Sequence, residues 1–144
     1  MYVSNCIFVE VRSEMKVLQP PHWPRPKGYA NGVAAKGSMV FLSGIVGWNA
    51  QGEFASHDFV AQVRQALLNI VEILDQAKAK PEHIARMTWY VLDKDEYMAA
   101  AKEMGAAYRE IIGRHYPAMT VVEVSGLVEA KARVEIEVTA VVPE

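Results

Sequence analysis

Near its end the chain carries Arg133-Val-Glu-Ile-Glu-Val138, where two carboxylates and one guanidinium alternate with apolar residues. Residues two apart on a strand share a face, so Arg133 and Glu135 can point the same way with Cβ atoms about 7 Å apart. A carboxylate so placed can take and return a proton, and a guanidinium beside it can hold an anion. The same pattern equally describes a solvated ion pair that adds little to stability, and both readings stay open. Arg114, ahead of His115-Tyr116-Pro117, is a second candidate for holding an anion, although helix C-termini attract arginines for dipole reasons alone. Other chemistries are poorly served. Ser43 has no neighbouring histidine and aspartate to make it a nucleophile. His22, His57, His83 and His115 lack the paired spacing of a zinc site, and the lone Cys6 has no partner cysteine. Neither a metal nor a cofactor is expected.

The elements that must position these groups are legible in outline. Residues 7–11 are short and β-branched and could form an edge strand. Residues 19–28 hold four prolines, which fix φ and remove backbone donors, so neither a helix nor a central strand runs through them. Trp23 within this arm suggests that it docks on the domain. Residues 30–35 and 38–43 suggest a hairpin turning at Lys36-Gly37. Apolar residues at 59, 63, 66, 67, 70, 71 and 74 have helical spacing, with Ser56 or Asp58 as the cap. Residues 87–92 read as a buried strand. A second helix starts at Asp93, with Glu96 in a variant capping box, follows the stripe Tyr97, Ala101, Met104, Tyr108 and Ile111, and stops at Gly113. Residues 119–124 and 133–142 supply the last strands.

The expected architecture is α+β, a two-layer sandwich of a mixed sheet of about six strands with two helices on one face. An arm over residues 1–27 precedes a domain over residues 28–144. Two helices cover only one face of such a sheet, so a closed homo-oligomer is the economical cover for the other. At 144 residues, 51% of them hydrophobic, one domain suffices and buries roughly 70% of its unfolded surface. A net charge of −2 offers no field for phosphate backbones, so nucleic acid is a poor partner. No signal peptide and no apolar run of about 18 residues is present, which fits a cytoplasmic protein with no membrane partner.

Five segments, in order, resemble those of the RidA/YjgF family: Gly28-Tyr-Ala-Asn-Gly-Val33, Met39-Val-Phe-Leu-Ser-Gly44, Thr88-Trp-Tyr-Val-Leu-Asp93, Pro117-Ala118 and Val134-Glu-Ile-Glu137. The resemblance spans residues 28–142. It implies a chorismate mutase-like homotrimer that binds a small-molecule metabolite in pockets at the subunit interfaces. In the family's deaminases an arginine after Pro-Ala grips the substrate carboxylate, backbone beside Ser-Gly orients it, and the first Glu of Glu-Ile-Glu handles a water. That water hydrolyses imines or enamines to ammonia and a keto acid. By position, Glu135 takes the catalytic place. Tyr29, Ser43, Gly44, Ile45 and Tyr90 line the pocket; beyond the resemblance, Trp48 reads either as a packing residue or as an aromatic lid, and Arg133 as a substitute grip from another wall. Met119 stands where the arginine would be, and a thioether cannot make its bidentate, charge-assisted contact. Ile45 replaces a common glutamine, Gly47 a proline, and an asparagine early in the second helix has no counterpart. The resemblance therefore implies a deaminase-type hydrolase with an apolar pocket, acting on a metabolite other than a standard 2-imino acid. The alternative is a non-catalytic small-molecule-binding trimer. Endoribonuclease activity, a label used in the family, is disfavoured by the charge and by the lack of a basic, aromatic-studded surface.

Overall fold

A computed structural model describes residues 15–144. The expected strand at residues 7–11 and Cys6 lie outside the described residues. The helical spacing after residue 58 folds as α1, Phe59–Gln76, which sends Phe59, Val63, Ala66, Leu67, Ile70 and Leu74 into the core. Both expected capping residues act at its start. The Asp58 carboxylate accepts from the Ala61 N–H at 2.9 Å, and Ser56 Oγ accepts from the Asp58 N–H at 3.0 Å.

The second helical stretch is two helices, α2, Lys94–Ala99, and α3, Ala101–Ile111, so the helix layer holds three α-helices among the described residues rather than two. Ala100, at φ −88 and ψ 3, breaks the helix, and α3 packs against α1. Alanine is the best helix former, so this break left no mark in the composition. Asp93 caps α2 as expected, accepting from the N–H groups of Asp95 and Glu96 at 2.9 and 3.1 Å. Glu96 does not complete a capping box, because its carboxylate turns to Arg133.

The main sheet comprises β3, Ser38–Phe41, β4, Ile45–Val46, β5, Ile84–Val91, β6, Ala118–Glu123, and β7, Val134–Val142. Its order is β3-β7-β5-β6, with β4 also on β7. β5 and β6 run parallel and the other pairs antiparallel, giving the mixed sheet of an α+β fold. β3 and β4 lie along the same edge of β7, linked by a Leu42 N–H donating to the Val138 carbonyl at 2.9 Å. They are one edge strand interrupted at Ser43-Gly44. The hairpin expected between residues 30–35 and 38–43 does not form. Its first strand, β2, Gly32–Ala34, pairs with β1, Lys16–Leu18, as a separate two-stranded sheet, and β3 crosses to β7 instead. The arm is thus joined to the fold by backbone pairing. Gln19 organises its turn: Nε2 reaches the carbonyls of Pro20, Trp23 and Pro24, and Oε1 accepts from Asn31. The Trp23 ring itself is half exposed.

Alternation along β7 puts Val134, Ile136, Val138 and Ala140 into the core beneath the helices and turns Glu135, Glu137 and Thr139 to the opposite face. That face also carries Met39 and Phe41, which are 59% and 71% exposed. No helix among the described residues is long and apolar enough to cross a membrane.

Candidate functional site

Glu135 lies at the centre of three strands, directly opposite Tyr90 of β5 on one side and Val46 of β4 on the other. Directly opposed residues share a face, so Tyr90 and Glu135 are side by side on the sheet surface away from the helices. The interruption of the edge strand meets Glu135 from the other flank. A Cβ on Gly44 would collide with Glu135 Oε1 and stand 2.7 Å from its Cδ. Ser43-Gly44 is therefore an opening in the sheet edge into which the Glu135 carboxylate fits. Ser43 is exposed beside it.

The segments on both sides of this opening are fixed by one residue of α1. Gln62 is 1% exposed, its Nε2 donates to the carbonyls of Ser56 and Lys131 at 3.0 and 2.9 Å, and its Oε1 accepts from the Arg133 N–H at 2.8 Å. A Cβ on Gly47 would stand 2.8 Å from the Gln62 Cα, so β4 leaves the sheet by running hard against the same helical turn. Residues 44–47 and 131–135 are located by a common anchor. The sequence reading missed Gln62 because an apolar stripe gives no sign that a polar residue beside it is buried.

The other expected site residues separate into distinct places. Arg133 makes a two-pronged pair with Glu96, Nε lying 3.1 Å from both carboxylate oxygens and Nη2 2.7 Å from Oε2. These hydrogen bonds raise the guanidinium pKa above its already high ordinary value, with the charge of Asp93 adding to them. Its cation is committed to α2 rather than shared with Glu135. Met119 is opposite Met87, a fully buried core residue, and packs against the core. It lies on the helix-facing side of the sheet, so within one protomer it does not wall the face bearing Glu135. Ile45, opposite Ile136, likewise turns to the core and leaves the Ser43-Gly44 backbone as the flank of the opening. Trp48 is tied through its carbonyl to Asn69 Nδ2 at 2.8 Å, with its ring 6.1 Å from that of Phe54.

Tyr29 and Arg114 meet in a cavity of about 1120 Å³ between the arm and the chain that enters β6. Glu135 is not among its lining residues. Arg86 was also missed by the sequence reading. It is exposed on β5 two and four residues before Thr88 and Tyr90, hence on the face of Glu135 about 13 Å along the strand. The period-2 rule finds it when applied to residues 86–91, but not from Ile84, because the register shifts between Ile84 and Arg86. Among the described residues no cluster of histidine, cysteine, aspartate and glutamate is arranged to hold a metal.

The family model described as Endoribonuclease L-PSP matches residues 23–142. A RutC family protein of Aquifex aeolicus is 32% identical over 130 residues, covering 88% of this chain and 99% of that protein. A 2-iminobutanoate/2-iminopropanoate deaminase of Salmonella typhimurium is 32% identical over 116 residues, covering 78% of this chain and 86% of the relative. The Rid family protein YyfB of Yersinia pestis, a solved structure, matches with a TM-score of 0.76 at 29% identity, covering 89% of this chain and 98% of that one. Sequence matches across most of the chain and a shared fold agree, and the chain belongs to the RidA/YjgF family.

Proposed function

We propose that the protein is a hydrolase of the imine/enamine deaminase type, working as a homotrimer on a small metabolite other than a standard 2-imino acid. The observation that carries this reading is the Glu135 carboxylate seated in the opening at Gly44, beside Tyr90. A carboxylate held there can take a proton from a water as its oxygen adds to the carbon of a C=N bond. Both protons of the water pass through the carboxylate to nitrogen, the first as the carbinolamine forms and the second from its hydroxyl as the C–N bond breaks, leaving a carbonyl compound and ammonia. The backbone of Ser43-Gly44 supplies polar groups at the flank, and the Tyr90 ring supplies a wall. Deaminases among the relatives support the reaction class.

The substrate differs because the carboxylate grip differs. Met119 stands in place of an arginine and Arg133 is engaged by Glu96, so neither brings a cation to Glu135. Trimer formation is supported by the exposed Phe41 and Met39 on the sheet face that the helices leave open. Cleavage of RNA is disfavoured by Glu135 and Glu137 on that face, which would repel phosphates. The same missing cation is what favours the second reading, a trimer that binds a metabolite without converting it.

The test generates imines in situ with an amino-acid oxidase and follows the loss of semicarbazide-trappable imine over a broad substrate panel. The wild type is expected to accelerate that loss for at least one larger or less carboxylate-dependent imine, and Glu135→Ala to slow it about 100-fold or more. Equal rates for the two proteins would remove Glu135 from the chemistry.

A further inference from the structure

The cavity between the arm and the entry to β6 has a charge and a build that the Glu135 reading does not use. Arg25 of the arm, Lys80 ahead of the 3-10 turn Pro81–His83, and Arg114 after α3 all line it, against the single carboxylate of Glu82. Among the described residues none of these three cations is in an ion pair. Among the described residues an excess of two positive charges therefore faces one concavity.

Both walls are held in place. On the core side, His115 Nε2 lies 2.7 Å from the Ile84 carbonyl, so that nitrogen carries the hydrogen and Nδ1 is the nitrogen left for another partner. The Tyr108 hydroxyl donates to the His115 carbonyl at 2.7 Å, and Tyr108 stacks on Tyr116 with centroids 5.8 Å apart and planes at 12°. His115 and Tyr116 thus present fixed flat surfaces to the cavity. On the arm side, the Gln19 hydrogen bonds set the turn that carries Arg25, and Tyr29 follows it. Fixed aromatic walls together with three cations suit a ligand with a small flat or apolar body and anionic ends.

We propose that this cavity binds a small organic dianion, a dicarboxylate or a phosphate monoester, at a site separate from Glu135. Arg25, Lys80 and Arg114 bind the two charges, Tyr29 and Tyr116 pack on the body, and Glu82 opposes occupancy. The site does not depend on the deaminase reading.

Isothermal titration at low salt with succinate, phenyl phosphate and acetate tests it. Saturable binding of succinate, of phenyl phosphate, or of both is expected, with acetate at least about 10-fold weaker. Binding of succinate alone assigns a dicarboxylate, and binding of phenyl phosphate alone assigns a phosphate ester. Arg114→Gln and Lys80→Gln should each weaken the bound dianion about 10-fold, and Glu82→Gln should tighten it about threefold. Glu135→Gln should leave its affinity within about twofold, so the proposal stands or falls apart from the deaminase reading. Absence of saturable binding by both dianions, or binding that is indifferent to Arg114→Gln and Lys80→Gln, would overturn it.

Discussion

The Glu135 carboxylate occupies the space that a side chain at position 44 would take: a Cβ on Gly44 would stand 2.7 Å from the Glu135 Cδ. Gly44→Ala is therefore expected to push the carboxylate out of its seat while leaving the fold intact, because the colliding atoms are the end of a flexible side chain. Turnover should fall by about 10-fold or more, with the melting temperature within a few degrees of wild type. In a Glu135→Asp background, whose carboxylate is one methylene shorter and leaves room for the Cβ, the same glycine substitution should cost less activity than it does in the wild type. Multiplying losses in the double variant would show that Gly44 does not act through Glu135.

Gly47→Ala should behave differently, because its Cβ would meet the Gln62 backbone, with Cα at 2.8 Å, and a helical backbone cannot swing aside. The expected cost is about 1–3 kcal/mol, read as a lower urea midpoint at unchanged slope. Gln62→Leu should cost a similar amount by leaving the Arg133 N–H and the Lys131 carbonyl without partners. A Gln62→Leu variant as stable as wild type would contradict the anchoring role given to Gln62.

Much of this arrangement is legible in the sequence alone. The alternation of residues 134–142 put Glu135 on the face opposite the core, and Asp58 and Asp93 marked their helix starts through side-chain chemistry. What stayed hidden depended on contacts between distant segments. The sequence argument paired Arg133 with Glu135 alone, and only the path of α2 brings Glu96 to the guanidinium instead. Ala100 breaks a helix with no residue that announces it, and Arg25, Lys80 and Arg114 converge only because the arm pairs back through β1 and β2. Met119 was placed in the pocket by resemblance alone, whereas its register with Met87 turns it to the core.

The Arg133–Glu96 pair is partly exposed, with side chains 35% and 29% accessible, so its worth is modest. Arg133→Met is expected to lower stability by less than about 1 kcal/mol and to leave the ratio of rates on carboxylate-bearing and carboxylate-free imines unchanged. A selective loss on carboxylate-bearing imines would show that Arg133 leaves Glu96 to grip the substrate.

Alkaline pH should weaken the fold through Tyr108. Burial, and then the charge of Tyr116, raise its pKa well above the ordinary value of 10.0. Below that value the phenol is neutral in folded and unfolded chains alike, and this contribution to stability is fully present. As pH rises beyond it the unfolded chain ionises first, so stability falls by about 1.4 kcal/mol per pH unit for this group. Urea midpoints at about pH 8 and about pH 10.5 should differ more for the wild type than for Tyr108→Phe. An equal difference in the two proteins would exclude Tyr108 as a source of the alkaline loss.

Conversion, as opposed to binding, is the centre of the account, and ammonia released from an in situ generated imine measures it most directly. The wild type should release ammonia faster than the spontaneous rate, and Glu135→Gln should fall to that rate while keeping the wild-type melting temperature. Ammonia release at the spontaneous rate by the wild type, with the same imine still raising its melting temperature, would contradict the account and leave a binding protein in its place.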